Sequence, residues 1–212
     1  LGADEIFIRT QTSLAGAALS PGIKLHLAAV LTPLWQATEG FLHAHNIAPP
    51  FWAFAWPGAE ALAVYIAANP GAWAGKRVLD FAAGCGLAGI AAAQAGAVVE
   101  AAEIDQLART AIAMNAAANG APVRVLQEDV VGGPCRWDVI IAGDVFYEAP
   151  MTRHILPWLR SCARTADVIV ADPGRAYAPA DGMDPIARMT VPTSRELEDG
   201  DSRVVRLLRV VS

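Results

Sequence analysis

Residues 77–94 run from Arg-Val-Leu-Asp-Phe through Gly84, Gly86 and Gly89 into an alanine-rich segment. A strand that enters a helix through G-x-G-x-x-G is the first half of a βαβ unit, and the strand that follows must lie parallel to it through a right-handed crossover. The alternation continues along the chain. Strands are predicted over 77–81, 97–104, 123–127, 137–142 and 167–171, and helices over 59–68, 87–95, 106–118 and 151–162. Asn69-Pro70-Gly71, Gly96 and Asn119-Gly120 supply the helix stops. Residues 187–191 and 203–210 form two closing strands with no long helix between them, which gives the sheet an antiparallel end. The expected fold is α/β, a Rossmann-like doubly wound sheet with an antiparallel last strand. Ligands of such sheets sit at the carboxyl ends of the strands.

Composition narrows the environment. Of 212 residues, 54% are hydrophobic and 17% charged, with a mean hydropathy of +0.35, which excludes a disordered chain. Residues 40–59 and 81–99 contain no Asp, Glu, Lys or Arg, and a membrane span needs about 20 apolar residues. Pro49, Pro50 and Pro57 break the first stretch, while glycines punctuate the second, whose apolar count is mostly alanine. Both read as interior segments of a water-soluble protein, so no membrane association is expected. The net charge of −5 comes without a basic stripe, which argues against a nucleic-acid partner. Cys85, Cys135 and Cys162 are odd in number and lack metal or redox spacing, as suits a reducing compartment. No signal-peptide pattern is visible, and a cytoplasmic monomer is expected. The chain begins at Leu1 rather than Met, so residues preceding it are expected. Two units are predicted: an aromatic-rich, partly helical extension over 1–56, with helices over 25–31 and 33–45, and a compact ligand-binding unit over 57–212.

The glycine motif taken alone suggests a dinucleotide, and an NAD-dependent oxidoreductase is one reading. Two carboxylates point elsewhere. Asp80 ends the first strand, where it would repel a pyrophosphate but attract an ammonium or sulfonium group. Glu103 ends the second strand, where a carboxylate accepts hydrogen bonds from both ribose hydroxyls. Asp105 competes for that role but is better placed to cap the next helix. This set suits S-adenosylmethionine, which has an amino-acid end and no phosphate. Asp129, after the third strand, reads either as a partner of the adenine amino group or as an exposed turn acid. The fourth strand ends at Gly143, which allows close backbone approach, and at Asp144, which reads as an acid beside a methyl donor or as a helix cap. Tyr147 can set its ring or hydroxyl against an incoming cation. Methyl transfer to an amine needs a neutral nucleophile held in line, with guidance of the developing positive charge. Phe51, Trp52 and Phe54 either pack the extension or form a substrate wall. His43-Ala44-His45 would direct its imidazoles apart on a helix, and no metal site is expected.

Five segments together resemble the seven-strand protein methyltransferases: Pro-Pro-Phe-Trp-Ala-Phe-Ala-Trp-Pro-Gly (49–58), Val-Leu-Asp-Phe-Ala-Ala-Gly-Cys-Gly (78–86), Glu-Ile-Asp (103–105), Asp-Val-Phe-Tyr-Glu (144–148) and Asp-Pro-Gly-Arg-Ala-Tyr (172–177). More narrowly they resemble the lysine methyltransferases of the electron-transfer-flavoprotein beta subunit in their bacterial form. The glycine motif is generic; the Trp-Pro-Gly, D-x-x-Y and Asp-Pro-Gly-Arg segments are specific. The resemblance covers most of residues 25–210. It implies S-adenosylmethionine as cofactor and a protein lysine as acceptor, with the electron transfer flavoprotein beta subunit as partner; a small-molecule methyltransferase is the other reading. By position it implies that Trp56 walls the cofactor and that Asp80, Gly84 and Gly86 line its methionine end. Glu103 would hold the ribose, with Ile104, Asp129 and Gly143 also on the cofactor side. Asp144 and Tyr147 would face the lysine, and Trp52 and Phe146 would contact the substrate. Two departures are Cys85, where relatives often have Ser, and Glu103, where many have Asp, a change that would shift the ribose slightly.

Overall fold

The structure is a computed structural model that describes residues 2–28, 50–195 and 197–212. Its larger sheet holds β3 (Arg77–Phe81), β4 (Val98–Ala102), β5 (Val123–Val125), β6 (Val139–Gly143), β7 (Asp167–Asp172), β8 (Met183–Pro192) and β9 (Ser202–Val210). Their order across the sheet is β5-β4-β3-β6-β7-β9-β8. β3 pairs in parallel with β4 on one side and β6 on the other. The winding therefore reverses between β3 and β6, and the crevice beyond their carboxyl ends is where ligands of doubly wound sheets bind. The expected antiparallel last strand is β9, but it lies inside the sheet, antiparallel to both β7 and β8. β8 forms the edge.

Successive strand residues point to opposite faces, and this sheet buries both. Val78, Ile141 and Ile169 pack on one face with Leu62 and Ile66 of α2 (Pro57–Ala68) and Leu87 and Ile90 of α3 (Leu87–Gln94). Leu79, Ile140 and Val170 pack on the other with Ile155, Trp158 and Leu159 of α5 (Ala149–Cys162). Strands covered on both sides read as continuous apolar runs, as Val139-Ile140-Ile141-Ala142 does. The alanines of α3 are all buried, and small side chains bring that helix close to the sheet. Among the described residues no helix is long and apolar enough to cross a membrane.

The beginning of the chain departs from expectation. α1 (Ala3–Gln11) leads into an antiparallel pair, β1 (Ser13–Gly16) and β2 (Lys24–Leu27). The helix expected over 25–31 is thus replaced by a strand in its first residues; 29–31 and the helix expected over 33–45 lie outside the described residues. Tertiary partners account for the strand. Asn115 of α4 (Gln106–Ala118) and Asn119, which caps its C-terminus one turn further on, grip its backbone. Asn119 accepts the Lys24 N–H at 2.8 Å and donates to the Lys24 carbonyl at 2.6 Å. Asn115 accepts the His26 N–H at 2.7 Å. Glu60 of α2 holds the turn between β1 and β2 by accepting the N–H groups of Ala18 and Leu19.

Candidate active site

Asp80 lies buried at the end of β3, and its Oδ2 accepts the Gly89 N–H at 2.8 Å. A Cβ at position 89 would come within 2.8 Å of that same oxygen. The third glycine of the motif therefore serves the approach of α3 to a carboxylate. Gly84 and Gly86 adopt positive φ values of 54° and 78°, which favour glycine. Gly86 is the residue from which α3 starts, and it faces Ile112 rather than the cavity. Burial pushes the Asp80 carboxyl up to about 8; the Gly89 amide opposes this and the charge of Glu103 adds to it.

Glu103 follows β4 and ties the loops after β3 and β4 together. Its Oε2 accepts the Gly84 N–H at 3.1 Å and its Oε1 the Ile104 N–H at 2.8 Å. Burial raises its carboxyl above the usual range against these bonds. Asp105 caps α4 by accepting the Leu107 N–H at 2.9 Å, as its sequence position predicts. Ile104 is 79% exposed. Asp129 closes its own turn through the Val131 N–H and lines the same cavity as Glu103.

β6 ends at Gly143, and Asp144 follows with a positive φ of 60°. A Cβ on Gly143 would meet the Ala59 nitrogen at 2.8 Å, so the glycine admits the start of α2. Asp144 does not cap α5. It accepts the Gly58 N–H of α2 on Oδ2 at 2.6 Å and receives Nη2 and Nε of Arg175 on Oδ1 at 2.6 and 3.1 Å. Burial pushes its carboxyl up to about 6, although Arg175 and Gly58 favour the ionised form. Tyr147 stands at the rim, 38% exposed. Its ring lies 5.4 Å from that of Phe51, which is 5.9 Å from Trp56. The Phe51 carbonyl fixes the Trp56 indole through a 2.8 Å hydrogen bond.

These groups surround one cavity of about 690 Å³, within the size range of small-molecule sites. Of the predicted site residues, Trp52, Trp56, Gly84, Glu103, Ile104, Asp129, Gly143, Asp144 and Tyr147 line it. Asp80 instead lines a narrow cleft of about 30 Å³ that shares Trp56, Gly84 and Asp144 with the main cavity. Phe146 must be corrected. It is fully buried in the α5-side core with Phe81 and Trp158 and does not reach the cavity, because β6 has ended and the chain is turning inward there. Trp52 is nearly buried and packs on Ile8, Ala108 and Met114 while also lining the cavity.

Residue type alone assigned no role to Arg175, Glu198, Glu128 and His154. Arg175 sits in the Asp-Pro-Gly-Arg segment directly after β7, and a strand end in this architecture is the signal that points to it. Among the described residues the lining includes the acids Glu103, Asp105, Glu128, Asp129, Asp144 and Glu148, and its one Arg, Arg175, is bound to Asp144 and Glu198. Such a lining favours a cation over a pyrophosphate, which fits the sulfonium and ammonium groups of S-adenosylmethionine and counts against a dinucleotide. Among the described residues no cluster of His, Cys, Asp and Glu is placed to hold a metal ion.

The strand order, the inverted β9 and the cavity over β3, β4 and β6 define a seven-strand methyltransferase fold. Magnesium protoporphyrin IX methyltransferase from Synechocystis PCC 6803, solved with bound S-adenosylmethionine, superposes with a TM-score of 0.54 at 22% identity, over 71% of this chain and 77% of that one. The sequence profile of a family described as lysine methyltransferase matches residues 52–178. The electron transfer flavoprotein beta subunit lysine methyltransferase of Danio rerio is 36% identical over 176 residues, covering 80% of this chain and 67% of the relative. The human protein of the same name is 35% identical over 175 residues, covering 78% and 64%. The chain thus spans about two thirds of the length of these relatives, and it belongs to the lysine methyltransferase family.

Proposed function

We propose that this chain transfers methyl groups from S-adenosylmethionine to lysine side chains of the electron transfer flavoprotein beta subunit. The observation that carries this reading is the convergence of Glu103, Gly84 and Asp144 on one acid-lined cavity whose mouth is built from Phe51, Trp56 and Tyr147. The names of the relatives that align over most of the chain supply the acceptor.

The bound cofactor supplies an electrophilic methyl group on a sulfonium. The chain's own residues do the rest. Glu103 accepts hydrogen bonds from the ribose hydroxyls through the lone pairs that Gly84 and Ile104 leave free. Asp80, nearly neutral while buried alone, gains its charge beside the cofactor ammonium. Trp56 forms the wall between cofactor and acceptor. Tyr147 and Phe51 present aromatic faces to the lysine stem and to the ammonium that forms on transfer. Asp144 contributes fixed negative charge at the inner end of the acceptor path. Its oxygens are already engaged by Gly58 and Arg175, which suits electrostatic guidance better than proton abstraction. Lysine arrives as the neutral amine. The extension over 1–56 supplies the aromatic substrate wall to the unit over 57–212.

Mass spectrometry of purified electron transfer flavoprotein beta subunit, incubated with the enzyme and labelled S-adenosylmethionine, tests the reading. Labelled lysines are expected on that protein. In a whole lysate treated in parallel, label confined to other proteins would reassign the acceptor, and label on small molecules alone would remove the protein-substrate reading.

A further inference from the structure

Arg175 reaches the site from the opposite side of the sheet order, and its surroundings are built to aim it. Asp172, buried at the end of β7, accepts the N–H groups of Gly174 and Arg175, both at 3.0 Å. This bond pair turns the chain so that the Arg175 side chain passes toward the cavity. Its fork then divides between two buried carboxylates. Nε and Nη2 meet Asp144 at 3.1 and 2.6 Å, and Nη2 and Nη1 meet Glu198 at 2.6 and 3.3 Å. The guanidinium carbon lies 5.6 Å from the centre of the Trp56 ring. One planar cation thereby touches the acid of the D-x-x-Y segment, the aromatic wall of the cofactor cavity and the β8–β9 connection. A lysine ammonium has neither the planarity nor the donor geometry to do this.

We propose that Arg175 is a positioning residue for methyl transfer, which fixes the charge and orientation of Asp144 and the seat of Trp56, with Glu198 as the counter-charge that limits its pull on Asp144. The inference rests on the methyl-transfer reading above. Asp144 is held between Gly58 and Arg175, and without the guanidinium it would face Glu198 as a like charge in the same buried patch. Glu198 is itself shared with Arg203, whose Nε lies 3.0 Å from Oε2. The groups that face Asp144 can be named element by element. The β7–β8 loop offers Arg175, with Asp172 paired to Arg206 behind it. The β8–β9 connection offers Glu198 with Arg203. The end of β3 offers Asp80 across the narrow cleft. From α2 only the Gly58 amide points at it, since Glu60 is turned toward Ala18 and Leu19.

The two neighbours of Asp144 push its titration in opposite directions, and a merely structural role would not. Asp144 is followed by ¹³C carboxyl NMR of aspartate-labelled protein, its resonance assigned by its loss in Asp144→Asn, alongside the pH–kcat profile on the acceptor. Arg175→Met is expected to raise the Asp144 midpoint by about one unit or more, the usual effect of losing an adjacent cation. Glu198→Gln is expected to lower the midpoint. In Arg175→Met kcat is expected to fall about 10²-fold, the usual result of a small misplacement near the reacting groups, with Arg175→Lys in between. If Arg175→Met fails to fold, Arg175→Lys and Glu198→Gln carry the test. Midpoints that do not move in either variant overturn the proposal, as does a fall in kcat that only follows loss of folded protein. If the wild type methylates no lysine, the methyl-transfer reading fails, and the NMR midpoints still decide whether Arg175 and Glu198 set the state of Asp144.

Discussion

Asp144 Oδ2 accepts the backbone N–H of Gly58 at 2.6 Å, so the end of β6 and the first turn of α2 are joined across 86 positions of sequence. The contact needs two glycines. A Cβ on Gly58 would meet Asp144 Oδ2 at 2.5 Å and the Ala171 carbonyl at 2.7 Å, and one on Gly143 would meet the Ala59 nitrogen. The carboxylate satisfies a free amide of a helix N-terminus, where negative charge is favoured. Asp144 thus has a structural share in the site as well as the chemical one proposed.

This double role sets the first prediction. Asp144→Ala leaves the buried Gly58 amide without its partner, while Arg175 keeps Glu198, and should destabilise the fold by about 1–3 kcal/mol. Methyl transfer should be lost, with S-adenosylhomocysteine affinity kept within about tenfold because the acid acts on the acceptor side. Tyr147→Ala, at the half-exposed rim, should lower transfer with a melting temperature close to that of the wild type. Thermal unfolding and a methyl-transfer assay on the same preparations separate the two. An unchanged melting temperature for Asp144→Ala would mean that the Gly58 and Arg175 contacts contribute little.

The sheet was legible because its information is local. Runs such as Val139-Ile140-Ile141-Ala142 are too short and too apolar to be anything but buried strands, and Gly96, Asn119 and Gly120 mark where helices stop. β3 and α4 fall on their expected residues. β2 was not legible, because its conformation is dictated by Asn115 and Asn119 on a helix 89 and 95 positions away. The carboxylates Asp80, Glu103 and Asp144 were visible from their places at strand ends. Their partners were not. Arg175 meets Asp144 only once β7 has paired beside β6, and Glu198 arrives from between the last two strands. Phe146 shows the limit of carrying a role by position, since the turn after Asp144 sends Phe146 into the core while Val145, Tyr147 and Glu148 line the cavity.

Phe146 accordingly yields the second prediction. Phe146→Ala should cost about 3–5 kcal/mol, as for other buried phenylalanines, while the rate per folded molecule and the acceptor KM change little. Denaturant unfolding and steady-state kinetics well below the melting temperature measure the two effects. A raised KM with full stability would return Phe146 to the substrate wall.

Glu103 and Asp105, two residues apart, should separate cleanly. Glu103→Ala removes charged hydrogen bonds and should weaken cofactor binding by about 1.5–3 kcal/mol, partly through release of the Gly84 amide. Asp105→Ala removes the cap on α4 and should cost about 1 kcal/mol of stability, with cofactor affinity unchanged. Calorimetric titration with S-adenosylhomocysteine distinguishes them, and the reverse pattern would move the ribose role to Asp105.

Asp80 makes the pH dependence specific. Its carboxyl titrates near 3.8 in an unfolded chain, whereas burial in the fold lifts it to about 8. Between those values the folded protein holds a proton that the unfolded chain has released. Stability therefore falls as pH rises through this window, by about 1.4 kcal/mol per unit from this group, and the fall ends above the folded value. Asp144 adds to the fall at lower pH, since its carboxyl is raised to about 6, so the contribution of Asp80 is read as the difference between wild type and Asp80→Asn. The amide stays neutral and can still accept the Gly89 N–H, so the variant should unfold with a flatter pH profile and be the more stable protein at pH 8. It should also bind the cofactor more weakly. In the wild type the cofactor ammonium draws Asp80 into its ionised form, and binding near pH 7 should release a proton that Asp80→Asn does not. Titration in buffers of different ionisation enthalpy counts that proton, and equal counts in the two proteins would place the cofactor ammonium elsewhere in the cavity.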